Sequence, residues 1–184
     1  MRAKKLILCM LVIAIFSWLS HAESSAIEAY MKITGQNTGD FPGTATLPGY
    51  EAWLAVAAFG HNLYHPVDPQ TGNVTGSRRH DPIRIVKAVD ESSPIFYSAL
   101  ISGDILTVEI RFLRTDNTGQ LLHFFTVSLQ GARIMSISPS LIPLNQDNQD
   151  NPMMEIVNFN YGQILWKEEL GSTEAQDSWN VPYQ

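Results

Sequence analysis

Cysteine is nearly missing from this chain: Cys9 is the single example in 184 residues. A disulfide framework and a thiolate metal site are therefore excluded, and the fold must hold by its apolar core. Charge is also sparse, at 16% of residues, and 12 Lys and Arg stand against 18 Asp and Glu for a formal net charge of −6. A surface of that sign does not favour nucleic acid or anionic lipid. The chain has no G-x-S-x-G elbow, no H-E-x-x-H helix, no P-loop and no internal repeat. The common signatures of hydrolases, metalloproteases and nucleotide enzymes are thus missing. What is present is 45% apolar residues in a length that suits one globular domain.

The first 22 residues stand apart. Arg2, Lys4 and Lys5 make a basic start, Leu6 to Leu19 is an apolar run of 14 residues, and Ser20-His21-Ala22 offers small residues three and one before a cut. These three parts make a secretory signal peptide over residues 1–22, cleaved between Ala22 and Glu23. The run is shorter than the ~20 residues of a membrane helix; retention as an inner-membrane anchor is the alternative. Residues 23–184 then form a single cysteine-free domain with no membrane segment, holding nine of the twelve basic and all eighteen acidic residues, for a formal charge of −9.

Period two dominates that domain. Ala26 to Ile33 alternates loosely, and Tyr50 to Gly60 is an apolar segment that suits a buried strand or a short helix. Ile83, Ile85 and Val86 mark a short strand. In Asp104 to Arg114, Leu106, Val108, Ile110 and Phe112 point one way while Thr107, Glu109 and Arg111 point the other. Asp116-Asn117-Thr118-Gly119 is a tight turn, and Leu121 to Gln130 pairs back as a hairpin. Ala132 to Ser138 continues that strand or begins another, and Met153 to Phe159 and Gln163 to Lys167 complete the set. One helix is expected over Ser93 to Ile101, with Ser93 as its cap, Pro94 in the first turn and Gly103 as its stop. Leu141 to Pro152 reads as a polar loop and Gly171 to Gln184 as a polar tail. The fold class is mainly β, with strand edges that a sandwich or a closed barrel would hide.

Candidate chemistry is thin. His61 and His65 are four apart but flank a Pro-rich loop, so solvated histidines are a better reading than metal ligands. His80-Asp81 suits a loop contact, and His123 beside Phe124 and Phe125 suits a hydrogen-bonded structural histidine. Glu168 and Glu169 face opposite sides of a strand and cannot act as a pair. Asn73-Val74-Thr75 matches a glycosylation sequon that matters only in a glycosylating host. Trp53, Phe96, Tyr97, Phe112, Phe124, Phe125 and Trp166 belong to a core or an interface, with a ligand pocket as the alternative. No catalytic, metal or cofactor-binding residue is expected, and no cofactor.

Four segments in order carry a family likeness: VDPQTGNVTGSRRHDPIRI, SSPIFYSALISG, RFLRTDNTGQLLHFFTVSLQGARIMSI and ILWKEELGSTEAQDSWNVP. With the DPQTG arm and the hairpin ending in HFF in register, the sequence resembles Hcp, the tube protein of the bacterial type VI secretion system, from about Ile27 to Pro182. The resemblance implies a small antiparallel β-barrel with one short helix and an extended loop. It implies hexameric rings that stack into a hollow tube, a VgrG-type spike protein, a contractile sheath and small effectors as partners, secretion from the cell, and no enzymatic activity.

The family's protruding loop falls on Pro66 to Arg79. Pro66 and Pro69 stiffen its base, Gly72 and Gly76 permit a turn at its tip, and Arg78 and Arg79 supply positive charge to meet an acidic neighbour. Val67, Asp68, Gln70 and Thr71 complete the expected ring-stacking segment. The N-terminal leader departs from the family pattern, because such tube proteins assemble in the cytosol. An exported β-barrel that binds an envelope or host component, without assembling a tube, is the alternative function.

Overall fold

The computed structural model describes residues 27–140 and 153–179. The leader with its Ala22–Glu23 junction, the Leu141 to Pro152 loop and the end of the tail lie outside the described residues.

Among the described residues twelve strands and one helix follow in order: β1 (Ile27–Gly35), β2 (Gly39–Asp40), β3 (Leu54–Val56), β4 (Ala58–Gly60), β5 (Leu63–Tyr64), β6 (Arg79–His80), β7 (Ile83–Ala88), α1 (Ser93–Ser102), β8 (Leu106–Thr115), β9 (Leu121–Ser140), β10 (Met154–Asn160), β11 (Gln163–Glu168) and β12 (Thr173–Ser178). Ten strands share one antiparallel sheet whose main path is β2-β1-β8-β9-β10-β7-β4, with β11 and β12 branching from β9 and β3 joining β1. β5 and β6 pair only with each other. The architecture is mainly β with one short helix. Pairing gives an open path rather than the closed barrel expected from sequence. β3 and β4 are consecutive pieces of one segment, and they pair with β1 and β7 respectively.

Alternation explains most of the ladder. Met31 and Ile33 of β1, Leu106, Val108 and Ile110 of β8, Val127 and Leu129 of β9, and Val157 and Phe159 of β10 are buried in one core. Each such side chain contributes about 1.5–3 kcal/mol by leaving water. Phe112 keeps the expected series, half-buried against the same core, while Leu113 on the opposite face packs with Tyr50 and Trp53 in a second cluster. Opposite them a bulge in β9, with Phe124 as the extra residue, shifts the β8–β9 register. The turn after β8 forms as its sequence suggests: Gly119 has φ +82°, and Asp116 accepts from the amides of Thr118 and Gln120.

Three other expectations change, and one open alternative is decided. Tyr50 to Gly60 is neither one strand nor a helix, because Tyr50 to Trp53 forms a hydrogen-bonded turn before β3. Of the two readings of Ala132 to Ser138, continuation holds: Leu121–Ser140 is one 20-residue strand, β9. The helix begins at Ser93, after Ser92 at the N-cap, and no side chain caps it. The Ser93 hydroxyl instead accepts from the Asp90 amide and donates to Glu155. Pro94 does lie in the first turn, and Gly103 ends the helix at φ +65°. Lastly, the polar tail carries β12, which pairs with β11 from Gln163–Ser178 to Glu168–Thr173.

Candidate assembly surface: the arm and its root

Residues 63–80 leave the sheet as an arm. Its two legs are β5 and β6, paired Leu63–His80 and Tyr64–Arg79, and further out Val67 and Val74 form an isolated antiparallel bridge. Backbone hydrogen bonds from Thr75 to Pro66 and from Asp68 to Asn73 extend the pairing toward the tip. At the tip the Asp68 carboxylate accepts from the amides of Gln70 and Thr71 and from the Thr71 hydroxyl. These bonds hold its carboxyl below the ordinary value, the Thr71 amide contributing most. Pro69 starts the turn, and Gly72 closes it with φ +72° in open space. Such a segment is an ordered hairpin, not a slack connector.

The placement of the expected residues is uneven. Pro66 stands at the inner end of the arm, but Pro69 is at the tip rather than the base. Gly76 faces the Pro66 ring from the returning leg and is not part of the tip turn. Val67 and Val74 are 54% and 61% exposed, an apolar pair presented to solvent. Arg79 is exposed, whereas Arg78 turns inward and makes a two-point ion pair with Asp177 of β12.

Asp177 belongs to a cluster at the arm's root that the sequence did not disclose. His80 is buried between Tyr161 and Asp177, with Nδ1 2.8 Å from the Tyr161 hydroxyl and Nε2 3.1 Å from Asp177 Oδ2. The same hydroxyl is 2.7 Å from His61 Nε2. The His80 ring stacks on Trp179 at 5.6 Å and the His61 ring on Trp166 at 5.7 Å. Burial, and then the neighbouring His80, keeps His61 below its ordinary pKa. Burial and the charges of Asp177 and Asp81 push Tyr161 up, so it stays a neutral phenol. The hydrogen bonds from Arg78 hold Asp177 down.

His61 and His65 do not converge: His65 lies 3.5 Å from the Gly76 carbonyl, on the arm. Among the described residues no group of three His, Cys, Asp or Glu is placed to hold a metal ion. His123 is the hydrogen-bonded histidine anticipated; its Nε2 is 2.8 Å from Thr126 Oγ1, whose proton goes to Glu169. The tail T-E-A-Q-D-S carries no apolar alternation, so its pattern shows no sign of a strand ending near the root.

Two apolar surfaces complete the picture. A groove of about 370 Å³ opens between Ile27, Ala29, Phe59, Phe112, Phe124 and Phe125. On α1, Phe96 and Ala99 are buried, while Tyr97 and Ile101 face outward and Ile101 is 85% exposed. No helix among the described residues is long and apolar enough to cross a membrane.

Residues 30–167 match the family profile described as "Type VI secretion system effector, Hcp". The chain belongs to the Hcp family. A curated Hcp relative, the "Major exported protein" of Pseudomonas aeruginosa, is 36% identical over 168 residues, 85% of this chain and 98% of its own. Among solved structures, a crystallised Hcp protein superposes with a TM-score of 0.78 at 28% identity, covering 85% of this chain and all of its own. The "Secreted protein Hcp3" of Pseudomonas aeruginosa superposes with a TM-score of 0.67 at 30% identity over the same shares. Hcp membership agrees with the motifs read from the sequence, and it places the chain among type VI secretion tube or effector proteins.

Proposed function

We propose that this Hcp protein is a structural subunit whose copies close into six-membered rings, the rings stacking into a hollow tube that a type VI secretion system fires. In the ring, β3 and β4 complete a barrel, and the phenylalanine groove and the outer side of α1 meet neighbouring copies. A stable contact of this kind buries roughly 1,200–2,000 Å² in total. The lumen carries small effectors, a VgrG-type spike protein caps the tube, and a contractile sheath surrounds it. The protein is exported, a reading supported by its likeness to the Major exported protein of Pseudomonas aeruginosa. The task is mechanical and calls for no catalytic group.

One observation carries this reading: the arm is ordered by its own hydrogen bonds yet presents Val67 and Val74 to solvent. An ordered apolar projection is suited to an adjacent ring. Arg79 adds a positive charge that steers it toward an acidic copy. Deleting Val67 to Ser77 is expected to leave rings visible by negative-stain microscopy and to abolish long tubes; tubes of unchanged length reject the role of the arm.

The leader-like N-terminus favours a second reading, an exported module that binds an envelope or host component as a single subunit. N-terminal sequencing of the native protein and the sedimentation of the purified protein separate the two. A protein that starts at Glu23 and stays monomeric when concentrated supports the second.

A further inference from the structure

The arm has no backbone ladder to the main sheet. β5 and β6 form a separate two-stranded sheet of two residue pairs, so strand pairing does not fix the angle at which the arm leaves the body. Side chains do. Among the described residues five side-chain hydrogen bonds run from the root to Tyr161 and Asp177 of the body. Tyr161 sits in the turn between β10 and β11, and Asp177 pairs with Ile164 across β11 and β12.

We propose that Tyr161 and Asp177 are positioning residues for the arm, and that the β11–β12 hairpin sets through them the posture in which the arm is presented. The inference rests on the reading that the arm docks ring to ring.

The protons fit one arrangement without a gap. Arg78 satisfies both oxygens of Asp177, and His80 donates from Nε2 to Oδ2. His80 Nδ1 is then the acceptor for the Tyr161 hydroxyl, whose oxygen accepts from His61 Nε2. Both legs are thereby gripped: His61 stands before the outgoing leg, and Arg78 and His80 are on the returning one. The aromatic floor is equally specific, since Trp179 packs edge-on to Tyr161 at 5.1 Å while stacking on His80. The side chain of His80 is 2% exposed, so a lost partner there leaves a polar atom without water. Arg78 therefore acts inside the subunit, and Arg79 is left as the outward charge of the pair. Within this cluster Asp81 is the remaining carboxylate; it accepts from Asn62 on the opposite leg and holds the root together from the arm's own side.

The test uses hydrogen exchange on the full chain carrying Asp177→Asn, Asp177→Glu or Tyr161→Phe. The inference expects exchange in peptides spanning 61–81 to rise about tenfold in the Asn and Phe variants. Peptides of β8 and the melting temperature should hold, and Asp177→Glu should recover part of the protection. Unchanged exchange in 61–81 overturns the inference, and so does an equal rise in β8, which would mark a general loss of stability. Tube length is scored separately by microscopy. A loosened arm with tubes of normal length upholds the positioning role and removes the docking reading. Short tubes with a protected arm overturn the positioning role and leave docking in place.

Discussion

Lys87 places its ammonium 2.9 Å from Glu155 Oε1, with both side chains 1% exposed. The pair bridges β7 and β10 under the start of α1, and Lys87 also donates to the Ala88 carbonyl and to Asp90 Oδ1. Ser93 donates to the same Glu155 oxygen, which explains why this serine serves the interior rather than a helix end. Replacing one partner leaves a buried charge uncompensated. Lys87→Met should lower unfolding free energy by about 3–5 kcal/mol, and Lys87→Met with Glu155→Leu by clearly less. Urea titrations of both variants check this; a double variant as unstable as the sum of its parts would refute the pairing.

Asp104 binds the turn after β1 to the start of β8. Its carboxylate accepts from the amides of Asn37, Thr38 and Ile105 and from the Thr38 hydroxyl. Burial pushes its pKa up, but these donors outweigh burial and leave it below the ordinary 3.8. A depressed carboxyl stabilises the fold above its unfolded pKa, and that contribution fades as pH falls through the folded value. Stability should therefore fall below about pH 4. Asp104→Asn should remove part of that fall and cost about 1.5–3 kcal/mol at neutral pH. Thermal melts of both proteins from pH 7 to pH 3 decide it.

His61 gives the arm's root a different pH dependence. Its folded pKa is below 6.5, so the unfolded protein binds more protons between the two values. Its neutral form contributes full stability above pH 6.5, and the contribution is lost as pH drops through that window. A proton there would set a charge 6.4 Å, between ring centroids, from the His80 ring. Exchange-corrected protection of residues 61–81 should decline from pH 7 to pH 5.5 in the native protein and stay flatter in His61→Gln. A flat native profile would deny the effect.

Much of this structure was legible because burial follows alternation. Leu106, Val108 and Ile110 lie in the core where period two puts them, and Pro94 and Gly103 bound the helix as their backbone chemistry requires. The arm was legible from its prolines and glycines. Its root was not, since His61, His80, Tyr161 and Asp177 are spread over more than a hundred residues and meet only through β11 and β12. Arg78 illustrates the limit: sequence shows a basic residue on an acidic subunit, and only folding shows that Asp177 holds it. The bulge opposite Phe112 is similar, because one extra residue, Phe124, reverses the faces of β9 without leaving a pattern.

The tip of the arm should depend on two residues. Asp68 gathers three donors at one carboxylate oxygen, and Gly72 adopts φ +72°. Asp68→Ala removes the first, and Gly72→Val forces a branched side chain into the left-handed region at about 1–2 kcal/mol. Both variants should keep the melting temperature of the body and raise exchange at residues 67–75, and both should shorten tubes. Normal tubes from a disordered tip would show that docking does not need the turn.

Ile101 tests the lateral contact apart from the arm. It is 85% exposed in the last turn of α1, two residues before the Gly103 stop, so its side chain does little for the fold. An Ile101→Lys change should alter stability by no more than about 0.5 kcal/mol. A charge buried between copies is costly unless it is paired, so the same change should shift a six-membered ring toward smaller species. Light scattering across a concentration series measures the shift, and Phe124→Ser provides the matching test of the groove. Rings that persist with Ile101→Lys but fail with Phe124→Ser would assign the lateral contact to the phenylalanine groove alone and leave α1 facing solvent.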